Sequence, residues 1–148
     1  MTKDTQQYTI LLVEDNEDDI LIAKRAFSEF RFFTDLAVAR DGHEALDMLT
    51  GAGPFSGRKP LRPAMIFLDI TLPLMDGIAL LKRLKSDQAL KTIPVVMLTT
   101  SSRAEDIARS YESGAASYLT KPASLEEFLQ LARSFETYWI SISKLPAP

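Results

Sequence analysis

Acidic, hydroxyl and amine side chains directly follow four short apolar segments of this chain. Glu14 and Asp15 follow "ILLV", Asp69 follows "MIFL", Thr99 follows "VVML" and Lys121 follows "SYLT". If these segments are parallel strands of one sheet, the residues that follow them lie at the edge where the strands have their carboxyl ends. We therefore expect three carboxylates, one hydroxyl group and one ammonium group to share a single site.

Such a site is suited to a divalent cation. Two carboxylates about 4 Å apart repel each other by roughly 1 to 4 kcal/mol, depending on the effective dielectric constant. A counter-ion removes this cost, and Mg²⁺ fits best because it prefers oxygen ligands and commonly combines one or two carboxylates with phosphate oxygens. The sequence therefore predicts Mg²⁺ as the cofactor.

Asp69 is the candidate nucleophile of this site, since a carboxylate can attack phosphorus and form an aspartyl phosphate. Phosphoryl transfer requires mainly positioning and positive charge from the protein. We expect the cation and Lys121 to supply the charge, and Thr99 to donate a hydrogen bond to a phosphoryl oxygen.

Each of these residues also has a purely structural interpretation. Glu14, Asp15 and the following "NEDD" could cap a helix, where negative charge suits the amino-terminal end. Asp69 could begin a turn, and Lys121 could be a solvated surface residue. The occurrence of all of them at strand ends favours the functional interpretation.

The strand pattern predicts a parallel sheet. Residues 10–13, 65–68 and 95–98 are continuously apolar, which is typical of strands covered on both faces. Residues 35–40 and 117–120 mix polar and apolar side chains, as edge strands do.

Helical spacing of apolar residues follows each predicted strand. These helical segments are residues 20–30, 42–49, 78–84, 103–113 and the segment that begins at a Ser124 cap with Glu127 as its capping-box partner. Five βα units predict an α/β fold, a doubly wound five-stranded parallel sheet of flavodoxin-like order 2-1-3-4-5. We place this domain at residues 8–140, between a polar tail at 1–7 and a second tail at 141–148.

Composition narrows the possible functions. The chain has 148 residues, 46% of them hydrophobic and 25% charged, as expected of one soluble globular domain. Its net charge of -3 argues against nucleic acid or an acidic membrane as a partner, and the absence of cysteine excludes disulfides and thiolate sites. The polar amino terminus lacks a signal segment, so we expect a cytoplasmic protein.

Four motifs, "LLVEDN", "LDITLPLMDG", "VVMLTTS" and "YLTKP", resemble the ordered motifs of two-component response-regulator receiver domains. The resemblance covers roughly residues 8–138. It implies that Asp69 accepts a phosphoryl group from a sensor histidine kinase. It also implies that the protein is not an enzyme, and that its only catalysed reactions are its own phosphorylation from small phosphodonors and its own dephosphorylation. It also implies that Glu14, Asp15, Asp69 and the backbone carbonyl of Thr71 hold Mg²⁺.

The same resemblance implies roles for residues around the phosphoryl group. Thr99 and Lys121 would contact it, and Thr99 and Tyr118 would form a switch pair in which the hydroxyl group moves and the aromatic ring rotates. Thr71 and Ser101 occupy positions that in receivers tune the lifetime of the aspartyl phosphate.

A narrower similarity concerns the Glu-Asp pair at 14–15, the loop at 51–63, "LTTS" and the tail "ETYWISISKLP". These features are similar to response regulators that partner bacterial phytochrome kinases, so a phytochrome is the expected kinase. Receivers usually have a cis bond between the lysine and the proline that follows it, which we expect for Lys121–Pro122.

The last predicted helix carries more apolar residues than one buried face needs. We expect a homodimer that uses the fourth and fifth βα units, with Phe135, Tyr138 and Trp139 in its surface. The structural alternative is core plus scattered surface aromatics. The alternative to a receiver is a flavodoxin-like ligand-binding protein or enzyme without phosphorelay activity.

Overall fold

The computed structural model describes residues 8–29 and 33–142. In these residues five strands alternate with five helices. The strands are Tyr8–Val13 (β1), Phe33–Ala39 (β2), Met65–Leu68 (β3), Val95–Thr99 (β4) and Ser117–Thr120 (β5). The helices are Glu17–Phe27 (α1), Gly42–Thr50 (α2), Gly77–Ser86 (α3), Ala104–Glu112 (α4) and Leu125–Glu136 (α5).

Two short elements add to this pattern. A 3₁₀ turn, Gly53–Phe55, lies in the predicted loop, and a π-helical turn, Thr137–Ile142, continues α5. The predicted helix position Phe30, the tail at 1–7 and residues 143–148 lie outside the described residues. Among the residues that are described, no helix has the length and apolar character needed to cross a membrane.

The sheet has the predicted order, β2-β1-β3-β4-β5, and every pair of neighbouring strands is parallel. Val13, the last residue of β1, stands opposite Ala39 of β2 and Leu68 of β3. Because the strand ends are in register, the residues that follow them lie at one edge. The predicted fold class is confirmed.

Alternate side chains of the strands enter two separate cores. Ile10 and Leu12 belong to a cluster that α1 and α5 cover, and Leu11 and Val13 to a cluster that α2 and α3 cover. All four are almost completely buried, and burial of one such side chain stabilises the fold by about 1.5 to 3 kcal/mol. This burial on both faces explains why the central strands are continuously apolar.

Side-chain caps begin four of the helices. Asn16, Asp41, Asp76 and Ser124 each accept a hydrogen bond from the backbone N–H group three residues further on, at 2.8 to 3.1 Å. The predicted Ser124 cap is present, although the Glu127 carboxylate bonds to the Ser124 hydroxyl group rather than to its backbone N–H group. The caps satisfy otherwise unpaired N–H groups and fix where each helix starts after its strand.

Gly77 lets α3 begin directly against the end of β3. A β-carbon at this position would lie 2.1 Å from the carbonyl oxygen of Asp69 and 2.7 Å from the α-carbon of Ile70. The Gly77 N–H group donates to the Ile70 carbonyl at 2.7 Å. Any larger residue would therefore displace the backbone that carries Asp69.

Candidate functional site

The ammonium group of Lys121 is the centre of the site. Its Nζ lies 2.5 Å from Glu14 Oε1, 2.8 Å from Asp69 Oδ2 and 2.8 Å from Asp19 Oδ2. The Lys121 side chain is only 8% exposed. Three carboxylates thus use the three N–H groups of one ammonium group.

Backbone hydrogen bonds beyond the strand ends present these side chains to the site. The N–H group of Glu14 donates to Ala39, that of Asp69 to Val13 and that of Lys121 to Thr99, at 2.9, 3.2 and 2.7 Å. The ladder therefore continues for one residue past the apolar segments. This extension explains why the predicted strand-end residues converge.

Further backbone groups hold the two most buried carboxylates. Glu14 Oε2 accepts from the Asn16 N–H group at 3.1 Å, and Asp69 Oδ1 accepts from the Thr71 N–H group at 3.2 Å. Each carboxylate therefore contacts the ammonium group with one oxygen and the backbone with the other. Both are fixed in orientation before any ligand binds.

Burial raises the pKa of Glu14, an effect that Lys121 and the Asn16 N–H group oppose and the charge of Asp69 reinforces. Burial by itself lowers the pKa of Lys121, but its hydrogen bonds to Asp19, Asp69 and Glu14 outweigh this effect and the pKa is raised. Lys121 is therefore positively charged at neutral pH. One ammonium group therefore faces three carboxyl groups.

The donor chemistry of this site fits Mg²⁺. Glu14 and Asp69, two members of the predicted metal set, already share one cation, the Lys121 ammonium group, and their oxygens are the ligands that Mg²⁺ prefers. Asp15 and Thr71 are exposed. Of the side chains that the structure describes, no three histidine, aspartate or glutamate groups are arranged to hold a metal ion. The full ligand set therefore stays a prediction.

Ser101 connects the two members of the predicted switch pair. Its N–H group lies 3.4 Å from Thr99 Oγ1, and its carbonyl oxygen accepts a hydrogen bond from the Tyr118 hydroxyl group at 2.8 Å. Thr99 is buried and Tyr118 is half-buried. A displacement of Thr99 would therefore reach Tyr118 through one intervening residue.

Sequence reasoning missed two acidic residues of this region. Asp106, on α4, is 8% exposed and accepts a hydrogen bond from the Ser101 hydroxyl group at 2.6 Å. Asp19 was assigned only to a helix cap, yet its carboxylate contacts Lys121. Asp106 shares the inward side of α4 with Ser110, four residues on, and the burial of these two polar residues is visible only in the structure.

Two expectations are corrected by the structure. The Lys121–Pro122 bond is trans, as are the other peptide bonds of the described residues, so the expected cis bond is wrong. The trans form is the more stable one for a bond to proline by about 0.5 to 1 kcal/mol. Phe135 is 7% exposed and packs on Phe67 with ring centroids 4.9 Å apart, so it is a core residue rather than part of a dimer surface.

The remaining residues of the predicted dimer surface lie beside that core. Trp139 is half-buried and stacks on Phe135 with ring centroids 5.7 Å apart. Tyr138 is 53% exposed and meets the Trp139 ring edge-on at 5.4 Å. The predicted surface is thereby reduced to Tyr138 and the outer part of Trp139.

The amino-acid sequence matches a family model over residues 10–133, the response regulator receiver domain. FilR2 of Methanothrix harundinacea, named a probable methanogenesis regulatory protein, is 37% identical over 95% of this chain and 89% of its own length. The response regulator Rcp1 of Synechocystis is 36% identical over 93% of this chain and 92% of its own length.

Two crystal structures extend the comparison to three dimensions. The phosphorylated form of RcpA, a cyanobacterial phytochrome response regulator, has a TM-score of 0.87 and 38% identity, covering 95% of this chain and 99% of RcpA. The Mn²⁺-bound form of Rcp1 has a TM-score of 0.85 and 35% identity, with the same coverage. The similarity therefore includes almost the whole of each compared chain.

Proposed function

Because the chain belongs to the response-regulator receiver family, we propose that it relays a signal by accepting a phosphoryl group on Asp69 from a sensor histidine kinase. The observation that carries this proposal is the convergence of Asp69 and Glu14 on the Lys121 ammonium group at the carboxyl edge of the sheet. The flavodoxin-like alternative without phosphorelay is not favoured, because the family match covers the residues from β1 into α5.

In the proposed reaction a carboxylate oxygen of Asp69 attacks the phosphorus of a phosphohistidine. The new O–P bond forms as the P–N bond breaks, and the electron pair of that bond returns to the imidazole of the kinase. The product carries close to two negative charges beside Lys121, whose ammonium group already lies 2.8 Å from Asp69 Oδ2. The Thr99 hydroxyl group donates a hydrogen bond to a phosphoryl oxygen.

Mg²⁺ is the proposed cofactor, held by Glu14, Asp15, Asp69 and the backbone carbonyl of Thr71. When bound, it supplies the positive charge that shields the phosphoryl oxygens from the neighbouring carboxylates. Two observations support it: the single ammonium group facing three carboxylates, and the Mn²⁺-bound form of the similar protein Rcp1.

The proposed output passes through Ser101. When the Thr99 hydroxyl group turns to the phosphoryl group, it leaves the Ser101 N–H group, and Ser101 in turn contacts Tyr118 and Asp106. The change therefore reaches β5 and α4 and alters a binding surface there. Thr71 and Ser101 are also the residues that we propose tune the lifetime of the aspartyl phosphate.

The proposed kinase is of the phytochrome class and the proposed compartment is the cytoplasm. RcpA, described as a phytochrome response regulator, is the support for the kinase. We also propose a homodimer through the fourth and fifth βα units, with Tyr138 and Trp139 in the contact.

Incubation with acetyl phosphate and Mg²⁺, followed by intact-mass measurement, tests the proposed function. We expect a mass increase of one phosphoryl group in the wild-type protein and none in Asp69→Asn, which keeps the side-chain shape but is a poor nucleophile. Because fast hydrolysis could hide the adduct, beryllofluoride binding is measured in parallel. Absence of both the adduct and beryllofluoride binding would favour the flavodoxin-like alternative.

A further inference from the structure

The carboxylate of Asp19 contacts the Lys121 ammonium group but has no role in the proposed function. Asp19 is the third residue of α1, and its Oδ2 lies 2.8 Å from Lys121 Nζ. Its side chain is 35% exposed, whereas those of Glu14 and Asp69 are almost completely buried. Asp19 therefore approaches the ammonium group from the solvent side of the site.

The three carboxylates around Lys121 differ in what the proposed reaction requires of them. Asp69 accepts the phosphoryl group, so one N–H group of Lys121 must pass from its carboxylate to a phosphoryl oxygen. Glu14 is a proposed Mg²⁺ ligand, and a carboxylate oxygen that binds a cation is less available to an ammonium group. Asp19 has neither task and can contact Lys121 throughout.

We infer that Asp19 is a positioning residue that holds Lys121 at the site while Asp69 is phosphorylated. This inference rests on the proposed function and adds a residue to it. The ammonium group of a lysine ends a flexible four-carbon stem, so without a fixed partner it samples many positions. A carboxylate anchored on α1 limits this sampling and leaves an N–H group available for the phosphoryl oxygen.

An acidic residue in the first turn of a helix also stabilises the helix directly, because it faces the positive end of the helix dipole. The chain offers a control that separates this effect from contact with Lys121. Asp18 lies in the same turn of α1 and is exposed. Asp18→Ala removes the same charge from the same turn as Asp19→Ala and leaves the Lys121–Asp19 contact in place.

The test compares the rate of phosphorylation by acetyl phosphate, with Mg²⁺ present, in these two variants. Loss of a negative charge near the site favours the approach of an anionic donor in both variants. Loss of the contact that positions Lys121 lowers the rate of phosphorylation, and it occurs only in Asp19→Ala. We expect Asp19→Ala to react about fivefold more slowly than Asp18→Ala. Asp19→Asn, whose amide oxygen still accepts a hydrogen bond, should be slowed less relative to Asp18→Asn than Asp19→Ala is relative to Asp18→Ala.

Two further measurements distinguish positioning from a general structural effect. In a Lys121→Met background, Asp19→Ala should no longer be slower than Asp18→Ala, because the group that it positions is absent. The second measurement needs neither metal nor phosphodonor. Nitrogen NMR in the presence of a chelator should show faster hydrogen exchange of the Lys121 ammonium group in Asp19→Ala than in Asp18→Ala.

Equal rates for the two alanine variants, or the same slowing in the Lys121→Met background, would overturn the inference. The proposed function would then stand, because the wild-type protein would still form the adduct. If the wild-type protein gained no phosphoryl group and bound no beryllofluoride, both would be lost. Should Asp19→Ala fail to fold, Asp19→Asn and Asp18→Asn provide the same comparison.

Discussion

Glu14 places a carboxylate in a nearly dry position, where ionisation depends on its two contacts. One oxygen lies 2.5 Å from Lys121 Nζ and the other 3.1 Å from the Asn16 nitrogen. Burial is nevertheless the larger effect, and the pKa of Glu14 is raised above its ordinary value of 4.5. The folded protein therefore binds a proton at Glu14 more readily than the unfolded chain does.

This shift predicts the pH dependence of a Glu14→Gln variant. A carboxyl group whose pKa is raised on folding contributes most to the free energy of unfolding below its unfolded pKa, and the contribution is lost as pH rises through the folded pKa. Glutamine does not titrate, so its contribution to the free energy of unfolding does not decrease with pH in this way. We expect the free energy of unfolding of Glu14→Gln, minus that of the wild-type protein, to increase as pH rises from 4.5 through the raised pKa of Glu14.

Urea unfolding with a chelator present, at a series of pH values, measures this difference. Glu126→Gln is the control, because Glu126 is an exposed acid of the first turn of α5. Its difference from the wild-type protein should show a smaller change over the same range. A difference for Glu14→Gln that stayed constant or decreased with pH would contradict the prediction.

The first residues of α3 and the segment before α4 contact the site so closely that larger or non-polar side chains there would disturb it. Gly77 begins α3 against the backbone of Asp69, and Ser101 precedes α4 while bonding to its buried Asp106. The first contact fixes where the proposed phosphoacceptor stands. The second joins the residue after the strand end to a helix that can carry a signal.

Gly77→Ala should destabilise the protein and slow phosphorylation of Asp69. The new methyl group would lie 2.1 Å from the Asp69 carbonyl oxygen, so the backbone must shift, at a cost of about 1 to 3 kcal/mol. Gly42→Ala is a matched control, because Gly42 begins α2 and the atoms nearest its methyl group would be those of the Met75 side chain, at 3.2 to 3.6 Å. Urea unfolding and the acetyl phosphate rate measure the two effects, and equal losses in both variants would refute the explanation.

Ser101→Ala should loosen the start of α4. It leaves the buried Asp106 carboxylate without the hydroxyl donor at 2.6 Å, which costs about 1 to 3 kcal/mol. Amide hydrogen exchange should become faster in the first turn of α4, and more so than in Ser102→Ala, since Ser102 is exposed. Unchanged exchange in Ser101→Ala would show that Asp106 does not depend on this contact.

For the molecule as a whole, the sequence was sufficient to predict features that are determined by a few consecutive residues, such as the ends of a strand. Residues 65–68 and 117–120 are strands with the predicted ends, because apolar character and its interruption are local properties. Lys121 was found because it follows one of these strands. Asp19 was not found as its partner, because it does not follow a strand: it lies on α1, and only the packing of α1 against the sheet brings it to Lys121.

The same limit explains the error at Phe135. The helical spacing of α5 shows that it has apolar faces but not which of them meets the sheet. The structure turns Phe135 toward Phe67 and leaves Tyr138 largely exposed.

The proposed homodimer predicts how a surface substitution changes association of two copies of the chain. We expect Tyr138→Ser to weaken dimerisation of the phosphorylated protein by about tenfold or more, because an exposed tyrosine beside a tryptophan is a typical energetic centre of an interface. Leu21→Ser is the control, since Leu21 is similarly exposed but lies on α1. Sedimentation velocity at several concentrations measures the effect, and a wild-type protein that stays monomeric at micromolar concentration would end the proposal.

The ion pairs of Lys121 also have a consequence for biosynthesis. Lys121 lies 107 residues beyond Glu14 in the chain, so the acidic groups near the amino terminus leave the ribosome before the ammonium group that contacts them. A nascent chain that ends before β5 would therefore lack the ammonium group that Glu14, Asp19 and Asp69 contact. Docking of the final βα unit brings this ammonium group to the carboxylates, so the site of the proposed phosphorylation forms only after Lys121 has been synthesised.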